Sequence, residues 1–104
     1  MELRCEKILQ GPILVPISTL APAPLEVIRD FQVLLRPIDE GFVATLFDAN
    51  ISSSGETQSE AVDNIKDLIV MVFESLEHED DNRLGPAMIR QKHALNSLMR
   101  RVKR

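Results

Sequence analysis

The chain has 104 residues, of which 44% are apolar, and a formal net charge of −4. This length suits one domain with a modest core. Its single cysteine, Cys5, excludes an intrachain disulfide and favours a reducing compartment, so we predict a cytoplasmic location. The apolar run 13–20 contains Pro16 and is too short to span a bilayer, and no membrane association is predicted.

Charge is divided unevenly along the chain. Residues 1–81 carry all 16 acidic residues and five basic ones, whereas residues 82–104 carry seven basic residues and no acidic one. Such asymmetry is typical of a segment that contacts nucleic acid or an acidic partner. It is equally consistent with a basic tail that lies against the acidic part of its own chain.

Residues 1–24 form an N-terminal segment in which 13–17 reads as a short strand. Pro16 cannot donate a hydrogen bond to a neighbouring strand, which predicts that this strand lies at an edge of a sheet. The stretch 21–24, Ala-Pro-Ala-Pro, follows as a stiff extended connector.

Alternating apolar residues predict an extended segment over 27–36, and the turn-forming stretch 37–41 leads into a returning strand over 42–47. Apolar side chains occupy both sides of this second strand, which is typical of a strand covered on two faces. We expect the following helix to cover one side and a second subunit to cover the other. A short polar strand is predicted over 51–54.

A helix is predicted over 58–78, where apolar residues recur at helical spacing. Thr57 and Glu60 form a capping box at its start, and Gly55 supplies the turn before it. Within this helix, the turn 69–73 is apolar all round, so we expect Val70, Met71 or Phe73 to contact something other than the sheet. The candidates are the C-terminal helix and a second copy of the chain.

The second helix is predicted over 86–102, with Pro86 in its first turn. Met88, Leu95 and Val102 recur at heptad spacing and form a narrow apolar seam along it. Together these elements predict an α+β, two-layer fold in which an antiparallel sheet of three to four strands packs on one long helix, with a C-terminal helix added. The chain divides into 1–24, a β-β-β-α core over 25–80, and a basic helical segment over 81–104.

No arrangement of residues predicts catalysis. The two histidines, His78 and His93, lie well apart in the sequence without a cysteine nearby, and the acidic stretch 77–81 around His78 is more simply a solvated loop than a cation site. No serine lies in a nucleophile elbow, and the four glycines are too isolated for a phosphate-binding loop. We predict no catalytic residue, no metal and no cofactor.

The basic tail 83–104 is the alternative functional feature. Its cations could contact phosphates, and the candidate residues for such contact are Arg90, Lys92, Arg100 and Arg101. One helix of this length is too short for a helix-turn-helix, and no aromatic residue is placed for base stacking. The simpler interpretation is an amphipathic helix that packs its apolar seam and leaves its charges in water.

The stretch 31–76 resembles the HicB-like antitoxin family. The matching residues are Gly41-Phe42-Val43-Ala44, then Asp48, then Gly55-Glu56-Thr57 with Glu60-Ala61. Phe47 stands where that family usually has a proline, its Gly-Cys segment is absent, and so is the separate DNA-binding module of many antitoxins. The resemblance implies a domain like a truncated ribonuclease H fold that lacks the metal-binding carboxylates and nuclease activity of that enzyme.

These observations predict a non-enzymatic protein-interaction module that oligomerises, with a dimer favoured. The resemblance adds a more specific partner, a small basic ribonuclease toxin, for which the acidic helix would supply complementary charge. A nucleic-acid-binding regulatory protein that uses the tail 83–104 is the alternative. The predicted contact residues for an oligomer or partner are Phe42, Phe47, Val70, Met71, Phe73, Met88 and Leu95.

Overall fold

A computed structural model describes residues 11–102, so Cys5 and the rest of 1–10, together with 103–104, lie outside the described residues. The strands are β1 (Ile13–Ile17), β2 (Leu25–Val27), β3 (Phe31–Ile38), β4 (Gly41–Leu46), β5 (Ile51–Gly55) and β6 (Met99–Arg101). The helices are α1 (Gln58–Glu77) and α2 (Pro86–Leu98), and short 3₁₀ turns occupy Phe47–Ala49 and Asp81–Arg83.

Four of the strands form one antiparallel sheet in the order β1-β3-β4-β5, which packs on α1. This arrangement confirms the α+β class, the four-stranded sheet on one long helix, and the additional C-terminal helix. β1 lies at an edge, as Pro16 predicts, because a residue without an N–H is tolerated best where no neighbouring strand needs it.

The β3–β4 hairpin closes through the tight turn Asp39-Glu40, between the paired residues Ile38 and Gly41. Gly41 has φ +149°, a conformation that a side chain disfavours. A Cβ at Gly41 would also lie 2.2 Å from the backbone oxygen of Gly55 on β5. The glycine therefore allows β5 to approach the start of β4 closely.

Helix α1 begins where its capping residues predict. The Glu60 amide donates to the Thr57 hydroxyl at 3.0 Å. The Glu60 carboxylate, however, accepts the amide of Glu56 at 2.7 Å, one residue before the Thr57 amide expected from a capping box. Both contacts satisfy amides at the positive end of the helix, so the cap works by a slightly different pairing.

The C-terminal helix is shorter than predicted. It ends at Leu98, and the chain continues as β6 and pairs with β2, Leu25 opposite Arg101 and Val27 opposite Met99. The prediction of a helix to Val102 is therefore wrong, because strand pairing with β2 satisfies the backbone there in place of helical hydrogen bonds. The helical spacing of the seam could not reveal this, since β2 lies near the opposite end of the chain.

The core lies between the sheet and α1 and continues towards α2 and β6. Its most buried large side chains are Val33, Leu35, Leu46, Ile65, Ile69, Leu95, Leu98 and Met99. No polar or charged residue is buried in the part of the chain that the structure describes. An apolar core of this kind holds the layers together mainly through the hydrophobic effect.

Candidate interaction surface

The sheet has two faces of very different character. Cross-strand partners share a face, so the register assigns each side chain to one side. Val33, Leu35, Ala44, Leu46 and Ile51 point towards α1, and each is at most 4% exposed. We call this side the covered face.

The opposite side, which we call the open face, carries no helix or strand of the described residues over most of its area. Its apolar members from the strands are Leu14, Pro16, Leu34, Ile38 and Val43. Leu14 is 60% exposed and Ile38 48% exposed, whereas Leu34 and Val43 are half-buried. The remaining members are polar or charged: Gln32, Arg36, Thr45, Ser52 and Ser54.

A hollow of about 540 Å³ opens at one end of this face. Leu14, Leu34 and Phe47 are among its apolar lining residues, and the charged Arg29, Asp30 and Asp48 line it as well. Phe47, which follows β4 in a 3₁₀ turn, is 69% exposed. A large aromatic side chain beside the exposed Leu14 and the half-buried Leu34 is typical of a protein-contact surface and not of an isolated surface residue.

The predicted contact residues divide into three groups. Phe47, Met71 and Met88 are exposed, at 69%, 63% and 46%. Phe42 and Val70 are half-buried, Phe42 on the covered face and Val70 on α1.

Phe73 and Leu95 are the third group and correct the prediction. They are 5% and 1% exposed and belong to the chain's own core. Their apolar surface is already in contact with neighbouring side chains, so neither residue is available to a partner. The apolar side chains that surround the turn 69–73 of α1 therefore have different environments. Ile69 and Phe73 are buried in the core, whereas Met71 is exposed to solvent.

Three of the four candidate phosphate-contacting residues make contacts within the chain. Lys92 donates to the backbone oxygen of Glu79 at 2.8 Å and to the Asp81 carboxylate at 3.0 Å. Arg100 donates to Glu26 across the β2–β6 pair at 3.0 Å. Arg90 pairs with no acidic residue among residues 11–102.

Arg101 links the tail to α1. Its Nε lies 3.0 Å from a carboxylate oxygen of Glu77, and its Nη2 reaches Glu74 at 3.4 Å as well as Glu77. This fork supports the interpretation in which the basic tail lies against the acidic helix of its own chain. Contact of the tail with nucleic acid stays a prediction.

These pairings perturb two carboxyl groups. The hydrogen bond from Arg101, with its positive charge, lowers the pKa of Glu77 below its ordinary value. The hydrogen bond from Lys92, aided by its charge and by His93, lowers the pKa of Asp81. Both groups are thus held in the ionised form by neighbouring cations, which is typical of structural ion pairs and differs from the raised pKa of a general acid.

The two histidines lie at the surface near acids. His78 is 3.8 Å from Glu77, and the Nε2 atom of His93 is 3.6 Å from Asp81. No group of three or more histidine, cysteine, aspartate or glutamate residues is placed to hold a metal ion within residues 11–102.

The sequence pattern identifies Phe47 but does not single out its neighbours on the open face. Leu14 lies in a strand that is notable only for its proline, and Leu34 is one of two consecutive leucines whose faces the alternation does not separate. The missing signal is register: Leu14 pairs with Leu34, so two leucines that are distant in the sequence share one face. Within the predicted strand 42–47, the local sign of this surface is that Val43 and Phe47 fall on the same side.

Comparisons with known proteins add no further constraint: no protein-family model, no curated protein and no solved structure matches the chain. Within residues 11–102, neither helix is long and apolar enough to cross a membrane.

Proposed function

We propose that this chain is a non-enzymatic protein-interaction module that oligomerises through the open face of its sheet. The observation that carries the proposal is the cluster of exposed Leu14 and Phe47 around the half-buried Leu34. Exposed apolar side chains grouped in this way cost solvation free energy, and covering them with a partner recovers it. The reducing compartment favoured by a single cysteine makes the cytoplasm the proposed location.

The resemblance to HicB-like antitoxins supports a more specific form, in which the module masks a small basic ribonuclease toxin. The charge for this role would come from α1, where Asp63 and Asp67 are exposed and pair with no described cation. Glu74 and Glu77 are less available because Arg101 already binds them. Co-purification with the product of the adjacent gene tests this form, and a small basic protein in stoichiometric complex is the expected result.

Two matched substitutions test the general proposal. Leu14 on the open face and Met71 on α1 are about equally exposed, at 60% and 63%, so glutamate at either position leaves the core intact. We expect Leu14→Glu to abolish self-association in sedimentation equilibrium, because it places a charge inside the contact. We expect Met71→Glu to leave association unchanged.

The reverse result would show that the solvent side of α1, and not the open face, holds the partner. Circular dichroism of both variants establishes that each retains the fold. A wild-type protein that is monomeric and binds no protein would contradict the proposal itself.

A further inference from the structure

We infer that the C-terminal strand β6 carries an autoinhibitory contact, in which the Arg101 side chain covers acidic residues of α1 that a basic partner would otherwise bind. This inference rests on the more specific form of the proposed function, in which α1 receives a basic protein, and adds the regulation of that surface. It is carried by the acidic residues along α1, by the position of Arg101 on them, and by the way the backbone of β6 is held.

Acidic residues recur along α1 at spacings of three, four or seven positions, which places them in one row on the helix. The buried residues of α1 fall on the other side of the helix, so this row faces solvent. We call it the acidic stripe, and its members are Glu60, Asp63, Asp67, Glu74 and Glu77.

The N-terminal half of the acidic stripe is uncovered. Asp63 and Asp67 are exposed, and neither forms an ion pair within residues 11–102. Both line a hollow of about 560 Å³ whose other lining residues include the loop 20–23. Lys66 lines this hollow too but forms no ion pair with either aspartate. A basic partner would therefore meet two carboxylates that no described cation neutralises.

The C-terminal half of the acidic stripe is covered by the chain itself. The Nη2 atom of Arg101 reaches the Glu74 carboxylate at 3.4 Å, and its Nε lies 3.0 Å from a carboxylate oxygen of Glu77. The Glu77 side chain is left only 20% exposed. A guanidinium placed across two carboxylates is the contact that an arginine of a basic partner would make, so Arg101 competes with such a partner for the same acids.

The strand that carries Arg101 is fixed independently of this contact. Arg101 pairs with Leu25, the Val102 amide donates to the Pro24 oxygen at 3.0 Å, and Met99 is 0% exposed. The Arg101 side chain, in contrast, is 42% exposed. A partner can therefore displace the guanidinium by rotation of one side chain, while the strand pair and the core stay closed.

The contact is weak but always present. Exposed ion pairs contribute little to stability, so Arg101 should lower the affinity of a basic partner only about two- to fivefold. Because β6 holds Arg101 beside Glu74 and Glu77, the competition is intramolecular and does not depend on protein concentration. The strand thus sets a threshold that a strongly basic partner passes and a weakly basic one does not.

Binding of a fluorescein-labelled octa-arginine peptide to the full-length chain tests the contact, with fluorescence anisotropy as the readout. We expect Arg101→Gln to lower the peptide Kd about two- to fivefold, because Glu74 and Glu77 become available. Arg90→Gln is the matched control, since it removes the same charge from a residue that pairs with no acid among residues 11–102. It should leave the Kd nearly unchanged.

A double-mutant cycle assigns the effect to the acids of α1. In a chain that carries Glu74→Gln with Glu77→Gln, the further change Arg101→Gln should not alter the Kd, because nothing is left to uncover. Circular dichroism establishes that each variant retains the fold. An Arg101→Gln chain that binds the peptide no better than Arg90→Gln, or does not bind it, would overturn the inference.

A second pair of variants separates this inference from the proposed function. Asp63→Asn with Asp67→Asn should weaken peptide binding, whereas Asp39→Asn with Glu40→Gln, which removes the same charge from the β3–β4 turn, should not. If the Asp63 and Asp67 changes weaken binding but Arg101→Gln has no effect, the autoinhibition is overturned and the basic partner of α1 is upheld. Equal weakening by both double variants would overturn the basic partner and this inference together.

Discussion

The two faces of the sheet are built from the same alternating strands but meet different environments. On the covered face, Val33, Ala44 and Leu46 are at most 1% exposed. On the open face, Leu14 and Phe47 are at least 60% exposed, although their side chains are as apolar as those of the covered face. The difference teaches that strand composition decides how much apolar surface exists, whereas the elements after the strands decide which side is buried.

Only one long helix follows the sheet, and it can cover only one side. At Gly55, β5 passes into α1 through a turn so tight that a Cβ there would lie 2.4 Å from the Ala61 amide nitrogen. The second helix does not cover the open face either. It contacts the 3₁₀ turn 47–49, where Gln91 donates to the Ala49 oxygen at 2.7 Å.

The largest expected effect comes from truncation on the covered side. Ile65→Ala removes a side chain that is 0% exposed between α1 and the sheet, and we expect it to lower the free energy of unfolding by about 2–5 kcal/mol. Leu34→Ala on the open face should cost less than about 1.5 kcal/mol, because that side chain is half in solvent. Urea unfolding of both variants, at a concentration where the wild type is monomeric, makes the comparison. Equal losses would mean that the open face is buried within the monomer.

The next effect concerns the close approach of the start of α1 to Gly55 at the end of β5. Gly55→Ala forces a methyl group against the backbone of residues 60 and 61, with contacts of 2.8 and 2.4 Å. We expect a loss of about 1–3 kcal/mol, typical of overpacking. Gly11→Ala is the matched control, because a Cβ there meets no atom within 4 Å. Thermal unfolding should separate the two variants, and an unchanged midpoint for Gly55→Ala would show that the turn has room to relax.

Local signals in the sequence predict most of the elements that form the sheet and the helix packed on it. Pro16 places β1 at an edge, the alternation in 27–47 predicts the hairpin, and Thr57 marks the start of α1 to the residue. Each of these signals acts over a short stretch of chain, through a missing N–H, the side-chain period or a cap. They are therefore readable without knowledge of the rest of the chain.

Long-range pairing is not predictable in the same way. The β2–β6 pair joins Leu25 to Arg101, and the seam of the second helix continues to Val102 as if no strand followed. Likewise, nothing near Phe73 or Leu95 in the sequence distinguishes a core residue from a contact residue, because both roles require the same apolar side chain. The open face emerges only when the register places Leu14 beside Leu34.

The smallest expected effect concerns the tail that binds α1 outside the sheet. Arg101 bridges Glu74 and Glu77, but the Arg101 side chain is 42% exposed, so solvent and salt screen the attraction. We expect Arg101→Gln to lower stability slightly at pH 7 and low salt. The difference from wild type should shrink in about 0.5 M salt, where exposed charges are screened within a few ångströms.

The effect of Arg101→Gln on stability should also depend on pH. Because Arg101 lowers the pKa of Glu77 below its ordinary 4.5, the ionised carboxylate stabilises the fold above that value. The contribution is lost as the pH falls through the lower pKa of the folded state, so wild type and Arg101→Gln should converge below pH 4.5. Arg90→Gln, which removes a charge without a described acidic partner, should show no such convergence. A difference between Arg101→Gln and wild type that persisted in acid would mean that Arg101 acts by packing on β2 and not by binding the acids of α1, leaving those acids available to a basic partner.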